Sequence, residues 1–145
     1  MTLASFTDAD RSGPGLAAVP IQEDRGQRAR ILDALGLTGD RLPHVDHENL
    51  ARYYEYLSAN LCFPFQAWYP EPKTARHETV YECMVLELLN PSKHVGEEFD
   101  GIFCRTWKSG FEVNLPLVEL EVPPENANFQ VIEDYWYWFW NWRSP

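Results

Sequence analysis

Residues 53–69 read Tyr53-Tyr54-Glu55-Tyr56-Leu57-Ser58-Ala59-Asn60-Leu61-Cys62-Phe63-Pro64-Phe65-Gln66-Ala67-Trp68-Tyr69. The first half continues an amphipathic helix and the second half opens a β segment. Asp46 supplies the expected N-cap, because its carboxylate can accept the free N–H groups of a first helical turn. Leu50, Tyr53, Tyr54, Leu57 and Leu61 then recur at i, i+3, i+4, i+7 and i+11, one face of a helix. Pro64 ends it, since proline disfavours helical geometry at the residue before it. Phe65 to Tyr69 reads as extended. The helix is expected to lie over a small β domain formed by the residues that follow.

Working outward, residues 1–22 read as a flexible tail: Ser12-Gly13-Pro14-Gly15 cannot hold regular structure and the apolar residues are scattered. The single folded domain is expected over 23–145. Residues 23–36 predict a short helix with Ile31, Leu32 and Leu35 on one side and Gly36 as its stop. Thr38 to Pro43 is a connector short enough to set the two helices side by side. Beyond the loop at Pro70-Glu71-Pro72-Lys73, Thr79 to Leu89 is a strand rich in Val, Tyr and Leu, ended by Asn90-Pro91-Ser92. Glu82 and Glu87 are five apart within it and should point to opposite faces. Gly101 to Trp107 and Phe111 to Leu115 predict a hairpin turned at Ser109-Gly110, with Phe111, Val113 and Leu115 on its apolar side. Leu117 to Val122 follows as a short fifth strand, separated by Pro116. In Phe129 to Trp142 the residues Val131, Tyr135, Trp138 and Trp142 fit a helical stripe, and Glu133-Asp134 suit a first turn. Aromatics also favour strands; helix is the reading adopted.

The chain of 145 residues suffices for one domain with a core. No segment approaches the ~20 apolar residues of a membrane-spanning helix, and residues 1–10 carry no secretory signal. Cys62, Cys83 and Cys104 are odd in number and lack CxxC spacing, so they are expected as reduced, buried thiols in a cytoplasmic protein. The formal net charge is −10. Residues 1–45 hold six acids and five bases; residues 46–145 hold sixteen acids and seven bases, a net of −9. The acidic folded part argues against nucleic acid and anionic membrane, and suits a cation or a basic protein partner.

His44-Val45-Asp46-His47 places two imidazoles three apart, a spacing zinc uses, but without a second cluster of His or Cys to complete a site. No Gly-x-Ser-x-Gly and no phosphate loop is present, so no catalytic residue is expected and the chain reads as non-enzymatic. Glu97, Glu98 and Asp100, closed by Gly101, form an acidic turn. Calcium takes roughly six to eight oxygen ligands, from carboxylates and backbone carbonyls, which such a turn can supply. The alternative is a solvated turn between strands. The run Tyr135 to Trp142 holds more rings than one helix buries against a small sheet. It either closes the core or presents Trp136, Trp138, Trp140 and Trp142 to a partner.

Three pieces of the chain resemble the CcbP-like family of small bacterial calcium-binding proteins. They are Tyr53-Tyr54-x-Tyr56-Leu57 with Phe63-Pro64-Phe65; Val95-Gly96-Glu97-Glu98; and Leu115-Pro116-Leu117-Val118-Glu119-Leu120 followed by Ile132-Glu133-Asp134-Tyr135-Trp136-Tyr137-Trp138. The resemblance spans roughly Tyr53 to Trp138. It implies calcium as the ligand and Glu97, Glu98, Asp100, Glu133 and Asp134 as the matching acidic positions. Together with the order of elements, it implies an α+β fold. That fold would be a small five-stranded antiparallel SH3-like or Sm-like barrel, preceded by one or two helices and closed by the aromatic helix. The segment Phe103 to Lys108 departs from the acidic pattern by carrying two bases, Arg105 and Lys108. The competing function is an acidic interaction module, inhibitor or immunity-like, that meets a basic partner through its charge and its Trp/Tyr cluster.

Overall fold

The structure, a computed structural model, describes residues 26–74, 77–93 and 100–143. The expected tail, 1–22, lies outside the described residues. Two helices come first, α1 (Gln27–Leu35) and α2 (His47–Asn60). Gly36 ends α1 in the left-handed region at φ 70°, where its missing Cβ removes the usual penalty. Asp46 caps α2 as expected, its Oδ1 accepting the Asn49 N–H at 2.8 Å. Leu50, Tyr53 and Leu57 are buried along the helix, and Leu61 just beyond it.

Four strands follow, β1 (Phe65–Pro72), β2 (Glu78–Leu88), β3 (Phe103–Lys108) and β4 (Phe111–Pro116). They form one antiparallel sheet in the order β1-β2-β3-β4. At the β3–β4 turn both Ser109 and Gly110 have positive φ, 56° and 88°, the geometry whose twist matches a two-residue hairpin. The inner face presents Phe65, Ala67, Cys83, Val85, Leu88, Cys104, Thr106 and Leu115, all buried. Phe111 shares that side by register but is 68 % exposed at the hairpin tip.

Two features of the sheet differ from expectation. The fifth strand is absent among the described residues: Leu117–Glu119 is a 3-10 turn. After it a single antiparallel bridge joins Glu121 to Trp68 of β1, with both N–H to O distances 2.8 Å. The fold is therefore α+β with an open four-stranded sheet in place of the expected five-stranded barrel, and one bridge returning to its first strand. Second, Glu82 and Glu87 share the outer face. The register of β2 against β3 slips between Val85 and Glu87, a bulge whose extra residue reverses the alternation.

Phe129–Asn141 is a helix, α3. It packs beside α1 and α2, so its buried residues spread round more than one side: Ile132, Asp134, Tyr135, Tyr137, Trp138 and Phe139. Tyr53 of α2 meets Tyr135 edge-on at 5.1 Å and Trp138 at 5.2 Å. No helix among the described residues is long and apolar enough to cross a membrane.

The three cysteines are free. Cys62 is exposed, against expectation, because it follows the end of α2; its backbone N–H and carbonyl bind the side chain of Asn128. Burial pushes the Cys83 thiol up to about 11 and the Cys104 thiol up to about 12. A raised thiol pKa leaves the protonated, unreactive form at neutral pH. One thiol should therefore react promptly with a chromogenic disulfide at pH 8, and all three once denaturant is added. Rapid reaction of three thiols in the native protein would contradict the burial of Cys83 and Cys104.

Candidate metal centre

Ile102, the residue before β3, is tied from two directions. Its N–H donates to Tyr135 Oη of α3 at 2.9 Å, and its carbonyl accepts the Leu117 N–H at 2.9 Å. Gly101 makes the first tie possible. It sits at φ 72°, and a Cβ there would stand 2.5 Å from Tyr135 Oη and 2.8 Å from Phe139 Cε1. The second tie sets the 3-10 turn Leu117–Glu119 beside the entry to β3. Asp100, two residues before Ile102, and Glu119, two residues after Leu117, are thereby brought into one electrostatic neighbourhood. Desolvation, and then the charge of Asp100, push the Glu119 carboxyl above its ordinary value.

Glu119 is not among the acidic positions singled out from the sequence, where it falls in the expected fifth strand. The signal present was Pro116 followed by Leu117-Val118-Glu119, a bend after the hairpin that returns an acid toward Asp100. Glu97 and Glu98, and with them the turn Val95 to Glu98, lie outside the described residues. Among the described residues no three His, Cys, Asp or Glu side chains gather as a metal cluster. His44 and His47 are exposed, and Asp46 is engaged as the cap of α2.

The remaining acidic candidates stand elsewhere. Asp134 is only 6 % exposed. Its Oδ2 accepts Arg30 Nε at 2.7 Å, and its Oδ1 accepts Arg30 Nη2 at 3.0 Å, Gln27 Nε2 at 2.9 Å and Gln130 Nε2 at 3.0 Å. Both carboxylate oxygens thus fasten α1 to α3. Glu133 is half-buried, and desolvation, then the charge of Asp134, raise its carboxyl. The bases of β3 are also engaged. Arg105 bridges Glu87 at 2.8 Å and Glu112 at 2.7 Å, and Lys108 lies 4.2 Å from the centre of the Tyr81 ring.

The four candidate partner tryptophans divide. Trp138 is wholly buried, and its Nε1 donates to the Pro43 carbonyl at 2.9 Å. Trp136, Trp140 and Trp142 are half-buried. Trp140 stacks edge-on with Trp136 and carries the Arg143 guanidinium 4.8 Å from its ring centre, while Trp142 lies against Tyr137.

The family model for CcbP calcium binding matches residues 44–139. The chain belongs to the CcbP calcium-binding family. The match begins just before the Asp46 cap and ends in α3, so it takes in α2, the sheet, Asp100, Glu119 and the acidic turn, and leaves α1 outside. Among solved structures the chain is similar to the crystal structure of Anabaena CcbP, with a TM-score of 0.61 and 18 % identity over 83 % of this chain and 94 % of that one. That likeness concerns the fold. No curated protein matches the chain.

The tie at Ile102 carries a prediction. Tyr135→Phe removes the acceptor of a buried N–H and should cost about 1–3 kcal/mol in denaturant unfolding. It should also speed amide exchange at Ile102 well beyond the general loss of protection. Unchanged exchange at Ile102 would show that Tyr135 does not hold the entry to β3.

Proposed function

We propose that this chain is a non-enzymatic, cytoplasmic calcium-binding protein whose site is built on Asp100 and Glu119, completed by Glu97 and Glu98. The observation that carries the reading is the Asp100–Glu119 pair. Asp100 ends the acidic segment, and the backbone ties at Ile102 set the turn that carries Glu119 beside the same entry to β3. Repulsion from Asp100 adds to desolvation in raising the Glu119 carboxyl. A divalent cation would relieve that repulsion. The donor chemistry suits calcium, a hard cation that takes oxygen ligands in a loose shell. Two described carboxylates leave the shell incomplete, and the acidic turn supplies the further carboxylates and carbonyls this reading needs. Asp134 serves as a structural carboxylate here, and Glu133 lies beside it. Membership of a calcium-binding family supports the ligand.

Isothermal titration should show saturable calcium binding in excess magnesium, which holds its waters and demands tight octahedral geometry. Calcium at a hundred times its Kd should raise folding stability by about 2.7 kcal/mol. Replacing Glu97, Glu98, Asp100 and Glu119 by their amides should weaken binding by about two orders of magnitude or more, with the circular dichroism spectrum retained. Without calcium, Glu119→Gln alone should raise the melting temperature, because it removes a charge disfavoured first by desolvation and then by repulsion from Asp100. Neither heat nor thermal shift at millimolar calcium would sink the reading.

A further inference from the structure

The outer face of the sheet is covered by no described element. By register, one row across it reads Gln66, Met84, Trp107, Glu112. The next rows pair Trp68 with Glu82 and Pro70 with Val80. Trp107 and Val80 are each 49 % exposed and Met84 is 37 % exposed. Met84 and Trp107 are cross-strand partners, so their side chains are direct neighbours, and Val80 stands two same-face steps along β2, about 13 Å away.

Carboxylates surround this apolar strip. Glu78, Glu82, Glu87 and Glu112 share the face, and Arg105 is the base among them. The bulge after Val85 is what adds Glu87 to this side. Four negative charges against one positive leave the face at a net −3 by count. Several of these groups are held in place: Gln66 Nε2 donates to Glu82 Oε2 at 2.8 Å, and Arg105 ties Glu87 to Glu112. A fixed apolar strip with a fixed acidic border is complementary to a segment that alternates cations with apolar side chains.

We propose that this face docks a cationic segment of another protein, seating its apolar side chains on Met84 and Trp107 and its arginines or lysines on Glu82 and Glu112. Tryptophan is among the residue types enriched at the energetic hot spots of such contacts. A second copy of this chain is a poor occupant, because it would bring the same glutamates against each other. Nucleic acid and anionic membrane are repelled for the same reason. The surface shares no residue with the Asp100–Glu119 pair and its occupation does not depend on calcium.

The test is a titration of the full chain, isotopically labelled and kept in EDTA, with a short peptide alternating arginine with leucine. The same peptide with glutamate for arginine is the control. Saturable amide shifts should centre on Val80, Glu82, Met84 and Trp107, and binding should weaken as salt is raised. Trp107→Ser should lower affinity about tenfold or more. Glu82→Gln with Glu112→Gln should flatten the salt dependence. Met84→Ser provides a second apolar variant should Trp107→Ser disturb the fold. The proposal is overturned by equal binding of the glutamate peptide, by no binding, or by shifts confined to the indoles of α3 or to Asp100 and Glu119. Concentration-dependent dimerisation abolished by Trp107→Ser would overturn it too, by making a second copy the occupant.

Discussion

Replacing Trp138 by alanine should cost about 3–5 kcal/mol, against the roughly 5–15 kcal/mol that holds an ordinary domain folded. Three separate losses combine there. The indole is wholly buried, so its removal leaves a large cavity between α2 and α3. It abandons ring contacts with Tyr53 at 5.2 Å and Tyr135 at 6.2 Å. It also strips the Pro43 carbonyl of the Nε1–H that reaches it at 2.9 Å, and with it the link between α3 and the connector before α2. Denaturant unfolding should show a lower midpoint at a similar slope. Trp138→Phe should recover part of the volume but none of the hydrogen bond. Trp136→Ala and Trp140→Ala, at half-buried positions, should each cost well under half as much. A loss at Trp138 below about 1 kcal/mol would place the residue outside the core after all.

That contrast bears on what the sequence could disclose. Local rules were enough for α2, where one cap, one stripe and one proline set the start, the buried side and the end. They were enough for the β3–β4 hairpin, because Ser109-Gly110 tolerates the positive φ the turn needs. They also marked the run Tyr135 to Trp142 as too aromatic for a single buried face. They could not say which rings go inside. Trp138 is buried because α2 and the connector converge on it, and that convergence is a property of the packed chain. The fifth strand failed for a related reason. Leu117 to Val122 reads as a short strand set off by Pro116, yet the Leu117 N–H binds the Ile102 carbonyl and the chain turns there as a 3-10 segment. The shared face of Glu82 and Glu87 rests on one bulge residue, which no period of two reveals. In the candidate metal centre the acidic segment was legible from composition, whereas Glu119 became visible only once the Ile102 ties had folded the 3-10 turn back beside Asp100.

Asp134 shows the limit most sharply, and it carries the second large effect. Its principal partner, Arg30, is 104 residues away in sequence, so no local pattern joins them, and the acid was grouped with ligand candidates. Asp134→Ala should cost about 3 kcal/mol. Breaking a buried ion pair commonly costs about 3–5 kcal/mol because it leaves the partner's charge poorly solvated, and Arg30, 39 % exposed, can regain some water. Gln27, itself buried, also loses its acceptor. Asp134→Asn keeps one oxygen for a glutamine but turns an amide donor toward the guanidinium, so it should still lose about 2 kcal/mol. Asp134→Leu combined with Arg30→Met should recover much of the loss, since an apolar pair avoids the stranded charge. Because the carboxylate joins α1 to α3, hydrogen exchange should show Gln27–Leu35 losing protection first while the amides of β2 and β3 stay slow. Calcium affinity should be little changed if Asp100 and Glu119, rather than Asp134, hold the metal. If Asp134→Ala instead abolishes calcium binding while α1 keeps its protection, Asp134 is a ligand and the helix is fastened by other contacts.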